Sequence, residues 1–385
     1  MVLLKQAQET RCLRPMKIVQ VSPYSMDRPG GVQTHIRDLA KWLHSRGHEV
    51  RIVSPPGTGG VEGGMSLGRF RVMKLHGTAF EISRADKAEL RACLDELRDW
   101  GAEVMHLHTP WTPMLAWQVW RGLKLPTVAT FHATLPQGRG FDPFKWYIQR
   151  AARHFHKNLD RVLVPSAAPQ AQWRDLGFDP VPDVSPPTVD LARWREAKTA
   201  REGGPHLVFM GRLEERKGVQ VLLEAWGEIA EALPSARLTI AGDGALKGPL
   251  TQYAKVQDLP RITFLPPPSD AEAPGLVASA DFFMAPAIGG ESFGLVLIEA
   301  MSAGALPVAA ANPGYETVLS GGGKSLLVPP LSPARLAAKV VELAQDADRQ
   351  AELRHWAENR ATEFDVTAVG PTLESYFKQA IERAR

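Results

Sequence analysis

The sequence predicts an α/β chain of two doubly wound domains, each a parallel sheet with helices on both faces. Three observations predict it. Short β-branched runs alternate with helix-period segments along the whole chain, the pattern of parallel strands joined by helical crossovers. The 385 residues suffice for two domains of roughly 150 residues each. A Pro-rich stretch at 180–187 and a charged, Gly-containing stretch at 193–205 separate one series of elements from the next.

In the first series, strands are expected at 17–21, 49–53, 70–75, 104–108, 127–131 and 161–164. The segment 31–46 is a helix, with Val32, Ile36, Leu39, Ala40 and Leu43 on one face and Gly47 at its left-handed end. The second series has strands at 207–210, 237–241, 262–265, 281–285, 306–310 and 325–328. Its helix 219–233 places Val219, Leu222, Leu223, Trp226, Ile229 and Leu233 at helical spacing. The expected division is an extension at 1–15, a first domain at 16–195, a second at 196–365 and a terminal segment at 366–385. That last segment is expected to pack back on the first domain, helical from 372 after a loop at 364–371.

Composition narrows the function. Hydrophobic residues make 44% and charged residues 23%, which excludes collagen-like and disordered chains. Net charge is +3, from 45 Lys and Arg against 42 Asp and Glu, so the basic excess of a general nucleic-acid binder is missing. Cys12 and Cys93 form neither a disulfide framework nor a metal-ligand spacing, which fits a reducing, cytoplasmic setting. The most apolar stretch, 294–311, is broken by Glu299, Ser302 and Pro307 and reads as a buried helix and a strand. Residues 1–15 carry Lys5, Arg11 and Arg14 without a continuous apolar run, so a signal peptide is not expected.

Doubly wound domains bind ligands outside the carboxyl ends of their strands. The strongest motif sits there. Gly289-Gly290-Glu291-Ser292-Phe293-Gly294 leads into an apolar helix, where glycines admit close approach and free N–H groups favour a phosphate. Glu299, about two turns into that helix, suits a neutral diol such as ribose, and Glu291 suits sugar hydroxyls. Read structurally instead, the same segment is a Gly-rich turn with Glu291 as a capping charge.

Glu291 and Glu299, with Ser292-Phe293-Gly294 between them, resemble the paired-glutamate motif of family 4 retaining glycosyltransferases, whose fold is GT-B. Further segments agree in order. Met210-Gly211-Arg212-Leu213-Glu214-Glu215-Arg216-Lys217-Gly218 resembles the family's Gly-Arg-Leu element, and Ala241-Gly242-Asp243-Gly244 its second-domain glycine turn. Pro29-Gly30-Gly31-Val32-Gln33 is similar to its N-terminal glycine loop and Thr130-Phe131-His132 to its first-domain histidine. Within the family, the segment from Pro23-Tyr24-Ser25 through Gly31-Val32-Gln33 looks most like the bacterial phosphatidylinositol mannosyltransferases.

The resemblance implies two Rossmann-like domains facing a central crevice. It implies His132, Arg212, Lys217 and Glu291 as catalytic residues, with Arg212 and Lys217 neutralising the leaving diphosphate from an exposed crevice. Donor binding is expected from Gly30, Gly31, Gly211, Gly242, Gly290, Ser292, Phe293, Gly294, Leu295 and Glu299. On the acceptor side the candidates are Tyr24, Asp27, His108 and Trp111. His106 and His108 are expected on opposite faces of their strand, His106 in the core and His108 toward the acceptor. The expected partners are a nucleotide-diphosphate sugar of GDP-mannose or UDP-glucose type, a lipid or glycan acceptor and an anionic membrane surface, with no nucleic acid.

No cofactor or essential metal is expected. The sole Asp-x-Asp, Asp346-Ala347-Asp348, reads as a solvated helix face far from any Gly-rich loop. The phosphatidylinositol enzymes carry a Lys shortly after the histidine, whereas this chain reads His132-Ala133-Thr134-Leu135-Pro136-Gln137, so a soluble sugar or polyol phosphate stays open as acceptor. Lys145, Trp146, Tyr147, Arg150, Arg153 and Lys157 mix cations and aromatics on one expected helix, either a membrane face or a basic surface helix. A sugar-nucleotide epimerase and a non-catalytic nucleotide-sugar binder are the rival functions. The first needs acid–base carboxylates at first-domain strand ends, which show His and Trp instead.

Overall fold

The computed structural model describes residues 14–28, 30–75, 78–110, 114–133, 143–197, 199, 201 and 203–385. Trp111, the run Thr134-Leu135-Pro136-Gln137 and most of the expected N-terminal extension lie outside them.

Among the described residues, the first sheet has seven strands in the order Gly64–Ser66, Glu49–Ser54, Lys17–Val21, Val104–His108, Thr127–Thr130, Arg161–Val164, Asp183–Val184. The second has six, in the order Ile262–Leu265, Arg237–Ala241, His206–Met210, Phe282–Ala285, Leu306–Ala310, Leu327–Val328. Every pairing in both is parallel. Each sheet runs outward from its first strand in both directions, so its topological switch point lies between the first strand and the fourth. Such strands are covered on both faces, which is why runs such as Leu306–Ala310 are buried throughout. The fold is two Rossmann-like halves.

One apolar layer, including Val19, Leu107, Ala129, Phe131 and Trp173, covers one side of the first sheet. A layer with Ile18, Ile36, Leu39, Val128 and Leu163 covers the other, and it takes in Leu373 and Phe377 from the helix Val366–Ala384. The C-terminal helix thus packs beside the helix Gly31–Ser45 in the first half of the molecule. The second core already includes Val189, Leu191 and Trp194 of the crossover segment. Among the described residues, no helix is long and apolar enough to cross a membrane.

Two expected elements differ. The run expected at 70–75 is the strand Arg69–Leu75, but it pairs antiparallel with Thr78–Arg84 in a separate hairpin. Two residues between the runs are too few for the long crossover that a parallel partner would need. The segment expected as a loop at 364–371 is mostly helix, starting at Val366 with Asp365 accepting the Thr367 N–H. Pro371 sits inside it, on the exposed side, while Val366, Val369 and Leu373 are buried and hold the turns around it.

Candidate active site

The strand His206–Met210 ends in Gly211-Arg212, and a single 3-10 turn, Glu215–Lys217, turns the chain into the helix Val219–Ala232. Gly218 makes that corner at φ +68°, and a Cβ there would lie 2.0 Å from the Pro286 carbonyl oxygen. The neighbouring strand Phe282–Ala285 leads to the glycine-rich loop and the helix Leu295–Ser302. Gly294, at φ +118°, has the Tyr315 ring 2.7 Å from where its Cβ would stand. These two loops meet at the switch point of the second sheet.

There the side chains form a chain of alternating charge. Lys217 Nζ donates to Glu291 Oε1 at 2.7 Å and Arg216 Nη1 donates to the same oxygen at 3.1 Å. Arg216 also reaches Glu214 at 3.3 Å, and Arg212 Nη1 donates to the other oxygen of Glu214 at 2.9 Å. Burial opposes the Glu291 carboxylate, but Lys217, Arg216 and Arg212 together hold its pKa below the ordinary value. Burial likewise pulls the Lys217 ammonium down, with Glu291 pulling the other way. Lys217 is not at an exposed crevice wall, contrary to expectation: its side chain is 16% exposed, against 49% for Arg212.

In the first half, four imidazoles lie together. His35 comes from the helix Gly31–Ser45, His106 and His108 from the strand Val104–His108, and His132 from just beyond Thr127–Thr130. The His106 and His108 ring centroids are 4.0 Å apart, which corrects the expectation of opposite faces. Residues two apart on a strand share a face. His108 is fully buried, with Nδ1 2.9 Å from His132 Nε2 and Nε2 3.0 Å from Gln20 Oε1, so it is not placed to meet an acceptor. Burial, reinforced by the neighbouring imidazoles, holds the pKa of His106, His108 and His132 well below the ordinary histidine range. Burial alone takes His35 down to about 3.

The two halves meet along the crevice. Ser292 Oγ donates to the His132 carbonyl at 2.5 Å, and Ser166 Oγ donates to the Ser292 carbonyl at 3.0 Å. A Cβ on Gly31 would stand 3.0 Å from Leu295 Cδ1, so both glycine loops face one another. Arg37 and Asp270 bridge the halves at 2.8 Å. The structure therefore brings His132, Gly31, Ser292 and Leu295 together, with the Glu291 cluster one residue from Ser292.

Other candidates fall elsewhere. Glu299 is buried, and desolvation raises its pKa to about 7, with Asp38 and Asp270 adding to the shift and Arg193 opposing it. The Phe293 side chain lies in the second core against Phe364, leaving only its backbone for a donor. Gly242 packs on the Gly211 carbonyl, where a Cβ would come to 1.9 Å, and Gly290 lies beside Arg216. Gly30 precedes the first residue of the helix Gly31–Ser45. Tyr24 is close enough to Arg212 to act on its charge. Asp27 accepts the Gly59 N–H at 2.7 Å and so braces a loop. Asp346 caps the exposed start of the helix Ala347–Thr362 through the Arg349 N–H. Sequence reasoning passed over Glu214 and Arg216, although both lie inside the element that supplied Arg212 and Lys217.

Comparison with known proteins decides the family. Residues 29–193 match the model of Glycosyltransferase Family 4, and residues 204–346 match that of Glycosyl transferases group 1. The phosphatidyl-myo-inositol mannosyltransferase of Mycobacterium leprae is 34% identical over 338 residues, 86% of this chain and 88% of that protein. The chain belongs to glycosyltransferase family 4. A D-inositol 3-phosphate glycosyltransferase of Kineococcus radiotolerans is 28% identical, covering 92% of each chain. Among solved structures, Anabaena HepE in complex with UDP-glucose superposes with a TM-score of 0.74 at 18% identity, over 94% of this chain and 100% of that one. The chain is a glycosyltransferase with the GT-B fold.

Proposed function

We propose that this glycosyltransferase moves a hexose, with retention at the anomeric carbon and without a bound metal, from a nucleotide-diphosphate sugar to a lipid acceptor. The observation that carries the reading is the meeting of Arg212, Lys217 and Glu291 with His132 across one crevice, tied by Ser292. The diphosphate lies against Gly211, Arg212, Lys217 and the first amides of the helix Leu295–Ser302. Glu291, held ionised by its cations, accepts from sugar hydroxyls, as does His132. Glu299 accepts from the ribose.

The C–O bond to the diphosphate breaks while the acceptor oxygen bonds the same face of the sugar. The acceptor's proton passes to the departing diphosphate oxygen, whose charge Arg212 and Lys217 stabilise. Among the described residues, Glu291 is committed to Lys217 and Arg216 rather than standing free as a nucleophile for double displacement. The cation set takes the place of a divalent ion on the diphosphate.

A lipid acceptor draws support from the mannosyltransferase relatives and from the helix Pro143–Asn158. Trp146, Arg150, Arg153 and Lys157 form its exposed stripe, with Trp146 55% and Tyr147 39% exposed. Such a face suits the anionic inner leaflet of a plasma membrane. The absence of a Lys at 133–137, with the inositol-phosphate relative, favours a soluble polyol phosphate as the second reading. The test is a panel of GDP- and UDP-sugars assayed for nucleoside diphosphate release, with phosphatidylinositol vesicles or inositol phosphate as acceptor. Release that needs the vesicles supports the first reading; release that needs only inositol phosphate supports the second. Release with neither would return the epimerase.

A further inference from the structure

We infer that Gln20 and His108 are positioning residues that lock His132 as a hydrogen-bond acceptor toward the transferred sugar. The inference rests on His132 being the sugar contact and deepens that reading. Gln20 is fully buried on the first strand, and its Nε2 donates to the Ile36 carbonyl at 3.2 Å. A carbonyl only accepts, so the amide is fixed with Oε1 toward His108 Nε2, 3.0 Å away. His108 must then carry its proton on Nε2. A neutral imidazole has one N–H, which leaves His108 Nδ1 as a bare lone pair. That lone pair lies 2.9 Å from His132 Nε2, so His132 also holds its proton on Nε2. Its Nδ1 remains an acceptor and nothing else. The order runs from a backbone carbonyl, through two side chains, to the residue at the crevice.

Neutrality is what makes the order strict, and the surroundings enforce it. The ionisable groups acting on His108 are His106, His132 and His35, all buried and all cationic if protonated. From the C-terminal helix, Phe377 lies 5.3 Å from the His106 ring. His35 is fixed separately: it accepts the Thr188 N–H on Nδ1 at 2.9 Å and its ring stands edge-on to His132.

Ring nitrogens of His35, His106 and His108 also lie within 4.8 Å of one another, a spacing that a transition metal could draw together. Both nitrogens of His108 are already committed, to Gln20 and to His132. A metal there would have to break the chain, so the two readings exclude each other.

The experiment is a two-bond 1H–15N imidazole correlation on histidine-labelled full-length protein between about pH 6 and 8. The expected spectrum has His132 and His108 protonated at Nε2 and bare at Nδ1 throughout. In the Gln20→Leu protein the pair loses its anchor and both rings should average between tautomers, with donor kcat/KM lower by about tenfold, one hydrogen bond's worth. Gln20→Glu is close in shape but draws a proton onto His108, whose Nδ1–H then turns His132 around. That variant should gain an acid limb, with activity returning as the pH rises past the new imidazolium's pKa. A wild-type His132 protonated at Nδ1, averaged tautomers, or a stoichiometric transition metal by elemental analysis would overturn the inference. The wild-type spectrum needs neither donor nor variant, so failure of the transfer assay bears on the transferase reading alone.

Discussion

Replacing Lys217 by Ala should cost both turnover and stability, whereas replacing Arg212 should cost turnover alone. Lys217 Nζ is 2.7 Å from Glu291 and its side chain is 16% exposed, so its removal strands a buried carboxylate. Breaking a buried pair costs about 3–5 kcal/mol. Arg216 keeps its 3.1 Å bond to the same oxygen, which places the expected loss near the lower end, about 3 kcal/mol. Arg212 is half exposed and pairs with Glu214, so its loss should change stability by less than about 1 kcal/mol. On the proposed reading each variant loses a donor to the leaving diphosphate, which should cost about 2–4 kcal/mol, or roughly 30- to 1,000-fold in kcat. The assay is nucleoside diphosphate release at saturating donor beside urea unfolding of each protein. Adding Glu291→Gln to Lys217→Ala should recover stability without recovering turnover. Near-normal kcat in Arg212→Ala and Lys217→Ala, or unchanged unfolding in Lys217→Ala, would refute the reasoning.

Further outcomes follow from the same geometry. Glu299 holds a proton up to about pH 7 when folded and to about 4.5 when unfolded, so its penalty on stability is absent below about pH 4.5 and complete above about pH 7. Glu299→Gln should therefore stabilise at pH 8 by about 3 kcal/mol in urea melts, and it should remove a rise in donor KM as the pH of the wild-type assay falls below about 7. EDTA should leave transfer intact; complete loss restored by a divalent ion would show the diphosphate site misread. Co-sedimentation with anionic vesicles should weaken as salt rises, since each Lys or Arg on the helix Pro143–Asn158 contributes about 1 kcal/mol. Arg150 and Arg153 changed together to Glu should abolish it, and a wild-type protein that ignores anionic vesicles at low salt would remove the membrane face.

Strand positions were legible because central parallel strands are short, mostly apolar runs buried on both faces: Lys17–Val21, Arg237–Ala241 and Leu306–Ala310 lie at the residues where the pattern puts them, with Gln20 and Thr239 as single buried polar members. Pairing was less so. The run at Arg69–Leu75 looks like any other strand until its short link to Thr78–Arg84 is weighed. Pro371 marks a helix boundary in sequence but not here, because burial of Val369 and Leu373 on both sides of it outweighs the local preference. At the site, glycine loops and charged motifs carried their positions on their face. What sequence hid was which charges are buried together. Lys217 and Arg212 read alike and each shares a carboxylate with Arg216, yet only the Lys217 side chain is buried with its partner. The imidazole cluster gathers residues from three elements, and nothing local to His35 announces it.

The measurement closest to the central claim is the anomeric configuration of the product. Transfer from an α-configured nucleotide sugar, followed by NMR of the anomeric C–H of the isolated glycoside, reads the stereochemistry directly. Departure of the diphosphate and attack on one sugar face, with Arg212 and Lys217 stabilising the leaving group, predict an α-linked product. A β-linked product would contradict that course and require a base on the opposite face of the sugar.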